Sequence, residues 1–534
     1  MGLEHVVFSP GSRSAPLVKE FNAYNDIKKH VHFDERCAGF IALGLAQQTK
    51  KIVAVFCTSG TAVLNLAPSI CEAYYQKIPL LILTADRPES DIGKGENQVI
   101  VQNEIFKNYI KKSFVFSEND FDSTTILDSL TSTLNANFGP VHINLPLTEP
   151  LYSESEKVGI PALNYTIHTG KELSISAKLK IKEQWLQAER RMIICGMDSF
   201  NQRKNDLLHI LNQDAKTVLF NEACSNIVID NTVQNIDGTI AMISDNIEGC
   251  VPDLVVTIGK QIVSKSIRKL LNAHQGITHF HISIENEQWD IFSSLSHVFE
   301  CSDNDFLYAI KQAEQSGESK WQESWLALQK KYHQFRNEAI LSESVFVDAV
   351  IYQEIAKSDD KNLIIQWGNS TPIRYASLFS FSKNTEHFAN RGTSGIDGCL
   401  STAIGAALAE SQKNVIAVIG DVSFFYDSNA FFVNKLPSNF KVIVINNSGG
   451  NIFRVIDGEK DEVLMRNYFE IQHKHSAEFI AQMHGIQYFK VSEKQNLSKT
   501  LNDFLLLKDK CAILECVTDN NKSASFFKKL LNKK

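Results

Sequence analysis

The chain has 534 residues, 43% hydrophobic and 22% charged, which is too long for one core and ordinary for a globular protein of about three domains. A net charge of −7 argues against nucleic acid and anionic membranes as general partners. Ten cysteines without a CxxC pair read as reduced, buried thiols of a cytoplasmic protein, and no membrane-length apolar run or signal peptide is visible, which leaves a multidomain enzyme or assembly subunit.

In chain order, a strand at His5–Phe8 runs into Ser9-Pro10-Gly11-Ser12-Arg13-Ser14. Such a loop either offers backbone N–H groups and a guanidinium to an anion or is a turn with a solvated arginine. Asp34-Glu35-Arg36 then precedes a helix predicted over Cys37–Gln47. There Glu35 either complements the helix dipole or serves as a functional carboxyl group. A strand over Ile52–Phe56 leads to the turn Thr58-Ser59-Gly60-Thr61, and a helix follows to Tyr75. The strand Pro79–Leu83 ends in Thr84-Ala85-Asp86-Arg87-Pro88. The loop Ile92–Gln98, with Asn97 and Gln98, is either a connection or a source of amides for a small polar ligand. With a last strand at Val141–Leu145, this rhythm predicts an open α/β sheet in a domain spanning 1–152, followed by a linker at 153–183.

A second α/β pattern spans 184–315, with strands at Met192–Cys195, Thr217–Phe220, Leu254–Ile258 and His279–Ile282. It lacks a GxGxxG fingerprint, so nucleotide binding is not expected and the domain reads as mainly structural. Gly259 through Lys265 is either a basic site or a set of solvated lysines. A connecting helix with Trp321 and Trp325 is predicted over 316–344, and a third domain over 345–534. In that domain the strand Leu363–Trp367 leads to Gly368-Asn369-Ser370, with Arg374 beyond. Next come Asn390–Gly398 and a helix over Cys399–Glu410, whose Leu400, Ile404 and Leu408 share one face.

Two continuous apolar runs follow, Val415–Ile419 and Val442–Ile445, and they read as neighbouring parallel strands buried on both faces. They end in Gly420-Asp421 and in Asn446-Asn447-Ser448-Gly449-Gly450, at the strand ends where such sheets bind ligands. A carboxylate, an amide oxygen and a glycine carbonyl suit Mg²⁺; the alternative is that Asp421 caps a helix and the asparagines form a turn. Ile452-Phe453 begins a segment suited to covering a pocket, and the chain closes with a strand at Ala512–Cys516 and a solvated Lys-rich tail. No internal repeat is visible.

Gly420-Asp421 with the later Asn446-Asn447 resembles the diphosphate–Mg²⁺ motif of thiamine-diphosphate enzymes, although Val422 stands at the third position of the usual Gly-Asp-Gly. Together with the Ser9–Ser14, Asp34–Arg36, Thr58–Ala62, Thr84–Pro88, Asn390–Gly398 and Asn446–Phe453 motifs, in that order, the chain is similar to the MenD family. These are the 2-succinyl-5-enolpyruvyl-6-hydroxy-3-cyclohexene-1-carboxylate synthases of that superfamily. The resemblance implies three open parallel-sheet α/β domains: pyrimidine-binding, central and diphosphate-binding. It implies thiamine diphosphate with Mg²⁺, or Mn²⁺, as cofactors. The implied transferase activity decarboxylates 2-oxoglutarate and adds the succinyl carbanion equivalent 1,4 to isochorismate in menaquinone biosynthesis.

By the same resemblance, Glu35 is the catalytic carboxyl group, hydrogen-bonded to the cofactor's aminopyrimidine. Ser394, Gly395, Ile396, Gly420, Asp421, Ser423 and Asn447 join it in binding cofactor, with Ile396 as the apolar wedge. Asp421, Asn447 and the Gly449 carbonyl would hold the metal. Arg13, Arg87, Asn97, Gln98, Lys265, Ser370, Arg374, Arg391, Ile452 and Phe453 would line the substrate pocket, and arginine forks suit two dicarboxylic substrates. Two departures stand out: Ser266 replaces a frequent arginine, and the chain starts only a few residues before its first strand, where the family usually has a helix. A homodimer or a dimer of dimers is implied. The competing readings are another thiamine-dependent 2-oxoacid decarboxylase or carboligase, and a catalytically silent ligand-binding relative.

Overall fold

Continuous apolar runs need cover on both faces, and they form the centres of three parallel sheets. The computed structural model describes residues 3–116, 131, 138–152, 171–244, 247–313, 317–358, 362–456, 458–508 and 510–531. Residues 153–170 of the expected linker, 315–316 of the expected boundary and 532–534 of the Lys-rich tail lie outside them.

The first sheet contains β1 (His5–Phe8), β2 (Lys28–Val31), β3 (Val53–Cys57), β4 (Leu80–Asp86), β5 (Lys112–Val115) and β6 (Val141–Pro146), in the order β2-β1-β3-β4-β6-β5. The second contains β7 (Arg191–Cys195), β8 (Thr217–Asn221), β9 (Leu254–Ile258), β10 (Thr278–Ile282) and β11 (Leu295–Phe299), in the order β11-β10-β9-β7-β8. The third contains β12 (Leu363–Trp367), β13 (Thr385–Ala389), β14 (Asn414–Gly420), β15 (Phe440–Asn446), β16 (Gln487–Val491) and β17 (Ala512–Val517), in the order β13-β12-β14-β15-β17-β16. The first and third sheets therefore wind identically, a repeat that is not visible in the residues.

Two equivalent helices, Glu35–Thr49 after β2 and Cys399–Ala409 after β13, pack directly against each other. Glycine makes the approach possible: a Cβ on Gly44 would stand 2.0 Å from the Thr402 carbonyl oxygen, and one on Gly405 2.2 Å from that of Ile41. The two helices join the first and third sheets in a shared core with Phe40, Leu43, Leu400 and Ile404. The connecting helix, Trp321–Ser342, is less polar in its contacts than in its sequence. Trp325 meets Phe220 edge-on at 4.9 Å, and the Arg336 Nη1 donates to the Leu378 carbonyl, which ties the second sheet's unit to the third's. All ten cysteines are free thiols, and no helix among the described residues is long and apolar enough to cross a membrane.

Candidate active site

β14 and β15 lie side by side and deliver Asp421 and Asn447 from adjacent strand ends. Both residues are buried. The Asp421 Oδ1 accepts the Val422 N–H at 2.7 Å and its Oδ2 accepts the Gly449 N–H at 2.9 Å, which folds the Ser448–Gly450 loop over the carboxylate. The His473 Nε2 stands 3.2 Å from the same Oδ2. The Asn447 Nδ2 donates to Asp348 at 3.2 Å, whereas its Oδ1 is buried without a partner. An amide held by its nitrogen, with an orphaned oxygen beside a carboxylate, is suited to a hard cation. The Gly449 carbonyl, which accepts the Asn451 N–H at 2.9 Å, is the third oxygen that the motif implies, and phosphate and water would take the remaining positions. The residues therefore fit the group that the motif implies, although no cluster of three or more His, Cys, Asp or Glu side chains occurs among the described residues.

Asp348, absent from the sequence reading, lies beneath this site and accepts the Thr518 and Ser523 hydroxyls at 2.6 and 2.9 Å. Burial pushes its carboxyl group up to about 6 against those hydrogen bonds. Its sequence signal was an acid inside the apolar run Val345–Ile351.

The Asn390–Gly398 loop approaches from the other side. Asn369 holds it by donating to the carbonyls of Asn390 and Gly395, both at 2.6 Å, and by accepting from the Arg391 Nη1 at 3.1 Å. Glu72, from the first sheet's helix Ala67–Gln76, accepts the Gly392 and Thr393 N–H groups at 2.7 Å each. Ser423 donates to the Ile396 carbonyl at 2.8 Å, so the predicted wedge and the Gly420–Ser423 turn form one unit. Ser394 stands exposed with φ of +64°.

The predicted basic residues form two groups. Arg13 is buried, with Nη1 on the Leu147 carbonyl at 2.8 Å and Nε unpartnered; burial, then the nearby Arg87, lowers its proton affinity. Arg87 likewise has a buried, unpartnered Nε. Burial and then Arg391 do the same to Arg374, whose Nη1 donates to the Ser370 carbonyl at 2.5 Å. The Arg391 Nε is also unpartnered, and burial lowers its proton affinity while Glu222 opposes. Lys265 is exposed at its helix start. Arg268, one turn on, is the central basic residue whose charge reaches Arg391, and nothing in the residues distinguished it beforehand. Asn97 and Gln98 are exposed, and Ile452 and Phe453 are half-buried in the short helix Ile452–Val455.

Glu35 opens the helix that Asp34 caps. Burial raises its carboxyl group above the usual range, opposed by the Asn65 amide, which donates to Oε2 at 3.3 Å. The hydrogen bonds tying this turn to the third sheet go to Tyr426 and Asn429, supported by an Arg36–Asp427 ion pair. They do not go to the Asp421–Gly449 cluster.

Residues 1–107 match the N-terminal TPP binding domain of thiamine pyrophosphate enzymes, and residues 368–516 match the C-terminal TPP binding domain. A 2-succinyl-5-enolpyruvyl-6-hydroxy-3-cyclohexene-1-carboxylate synthase of Flavobacterium johnsoniae is 35% identical, over 97% of this chain and 94% of its own length. The synthase of the same name from Flavobacterium psychrophilum is 37% identical over 97% and 94%. That of Bacteroides fragilis is 33% identical over 99% and 95%. With this likeness running through both strand-end clusters, the chain belongs to the 2-succinyl-5-enolpyruvyl-6-hydroxy-3-cyclohexene-1-carboxylate synthase family of thiamine pyrophosphate enzymes.

Proposed function

We propose that the protein forms 2-succinyl-5-enolpyruvyl-6-hydroxy-3-cyclohexene-1-carboxylate from 2-oxoglutarate and isochorismate, in the cytoplasm, on the route to menaquinone. The observation that carries the substrate reading is the set of buried guanidinium N–H groups without partners at Arg13, Arg87 and Arg391. Unpaired buried donors are costly, and carboxylates satisfy them with charge-assisted bonds. Two dicarboxylic substrates supply such groups.

Thiamine diphosphate, when bound, supplies the electron sink for loss of carbon dioxide from the 2-oxoacid. Asp421, the Asn447 Oδ1 and the Gly449 carbonyl would hold its Mg²⁺, or Mn²⁺ in its place. Ser394, Gly395, Ile396, Gly420 and Ser423 shape the seat around it. Glu35 would share a proton with the aminopyrimidine ring, its carboxyl group oriented by the Asn65 amide on Oε2. Arg374 and Arg391, with Ser370, orient one carboxylate-bearing substrate. Arg13 and Arg87, with Asn97 and Gln98, serve the other, and Ile452 and Phe453 exclude water. Lys265, exposed here, and Arg268 are the central-domain candidates.

The active unit in this reading is a homodimer, or a pair of homodimers. The Glu35 turn is bound to its own chain at Tyr426–Asn429, so a second copy would bring Glu35 to the Asp421 cluster. Phe33, Phe479 and Met483 are 53%, 70% and 64% exposed; Phe33 meets Phe432 edge-on at 4.9 Å, and Phe432 meets His484, on the helix that carries Phe479 and Met483, at 4.6 Å. Such a patch suits a second copy better than water. An isologous pairing would build two sites at once.

Purified protein given 2-oxoglutarate, isochorismate, thiamine diphosphate and Mg²⁺ should consume isochorismate, and omission of any one should stop consumption. Unchanged isochorismate with all four present would refute the reading.

A further inference from the structure

One partly buried ion pair beside the site has no part in the chemistry above. Glu470 is fully buried. Arg454 meets it side-on, with Nε on Oε1 and Nη2 on Oε2 at 3.0 Å. The Nδ2 of Asn520 adds a bond to Oε1 at 3.2 Å, and the Gln472 Nε2 one to Oε2 at 3.1 Å. On its other edge Arg454 binds the exposed Glu462, at 2.8 Å from Nη1 and 3.1 Å from Nη2. A carboxylate with four donors and a matched fork is fully satisfied.

The pair joins the two elements that the proposed reaction uses together. The Glu470 carbonyl accepts the Gly450 N–H at 2.6 Å. A Cβ on Gly449 would stand 2.7 Å from that same oxygen, so the residue presses on the loop that carries the cation-binding carbonyl. Arg454 lies in the short helix Ile452–Val455, directly after Phe453, whose ring meets Phe469 edge-on at 5.6 Å. Asn451, ahead of that helix, donates to the Asn520 carbonyl at 2.8 Å, closing the network. The carboxylate end of the pair is buried and its arginine only partly so, and the cost of desolvating that carboxylate offsets much of the attraction, which makes stability alone a weak reason for the pair.

We infer that the Arg454–Glu470 pair is a positioning device that holds the Gly449 carbonyl and the Ile452–Phe453 wall in one register, ready for the cofactor's cation and the substrate. The inference rests on the functional reading above, in which Gly449 is a cation ligand. Loss of the pair should then weaken two things together, Mg²⁺-dependent cofactor binding and substrate binding, the latter read as a rise in KM with kcat less affected. A pair that only stabilised the fold would lower the melting temperature and leave both constants unchanged in the folded protein.

The test compares Arg454→Met, Glu470→Gln and the double variant with the wild-type protein. Thiamine diphosphate binding at saturating Mg²⁺ is measured by titration calorimetry, Mg²⁺ binding at saturating cofactor likewise, and thermal unfolding without ligands. Arg454→Met should bind cofactor about 10-fold more weakly, the usual scale for groups supporting metal ligands, with a parallel rise in KM. The double variant, freed of the unpaired buried charge, should regain thermal stability without regaining affinity. If Arg454→Met fails to fold, Arg454→Lys carries the same test, keeping the charge but losing the fork. Wild-type affinity in a folded double variant would overturn the inference alone. No cofactor binding by the wild-type protein would overturn the functional reading and the inference with it.

Discussion

Arg391 holds its guanidinium half inside the protein, with Nη1 on Asn369 and Nε without a partner. A lysine there keeps the charge but loses the planar fork. Arg391→Lys should therefore lose at least about 1.5 kcal/mol of substrate or transition-state stabilisation, the lower end for hydrogen bonds to charged groups. Steady-state kinetics with each substrate in turn check this, and unchanged constants for both would remove Arg391 from the site. His387 poses a different question at the same scale. Its Nδ1 accepts the Trp367 indole N–H at 3.1 Å, a bond possible only for the unprotonated nitrogen. Burial pulls its pKa from 6.5 down to about 3. Between those values the unfolded chain takes up a proton that the folded chain refuses. The contribution is thus complete above pH 6.5 and is lost as pH falls, at up to about 1.4 kcal/mol per pH unit. His387→Gln accepts the same indole bond without titrating, so its urea midpoint should drop less than that of the wild type between pH 7 and 5.5. Equal drops would contradict the assignment.

At the scale of elements, the contact between the helices Glu35–Thr49 and Cys399–Ala409 bears on both fold and site. One helix begins with Glu35, and the other follows the Asn390–Gly398 loop. Their approach leaves no room for a side chain at Gly405, because the atom in the way is the Ile41 carbonyl and not a movable side chain. Alanine gains about 1 kcal/mol of helix propensity over glycine in a helix interior. Overpacking against backbone typically costs about 1–3 kcal/mol, and here also forces the helices apart. Gly405→Ala should therefore be less stable than the wild type by urea unfolding and should bind cofactor more weakly. A more stable variant would show that the approach is looser than described.

For the whole molecule, the decisive question is which chains complete a site. Glu35→Gln should bind cofactor but turn over slowly, and Asp421→Ala should fail to hold the cation. If sites are shared between subunits, a mixed dimer carries both defects in one site and none in the other, so mixing the two inactive chains restores activity. With random exchange of equal amounts, about half the dimers are mixed, so recovery approaches a quarter of wild-type activity. No recovery, despite subunit exchange demonstrated by differently tagged chains, would refute the shared site.

The residues alone determined the sheet centres and the polar strand ends. Runs such as Val415–Ile419 and Val442–Ile445 are apolar throughout because both faces of a central parallel strand are buried, and the polar residues that end them stand out sharply. The strands that escaped a reading by apolar runs, β2, β5, β11, β13 and β16, are all sheet edges. An edge strand has neighbours on one side only and carries mixed sequences such as Lys-Lys-His-Val in β2 and Lys-Ser-Phe-Val in β5. The shared winding of the first and third sheets was equally hidden, since topology is a property of connections and not of residue identity. Tertiary structure alone brought Asp348 beneath Asn447, Glu72 to the Asn390–Gly398 loop, Arg268 towards Arg391 and Glu470 behind Gly449. These partners come from distant parts of the chain, and their meaning depends on a hydrogen bond or a field across space, which no local spacing records.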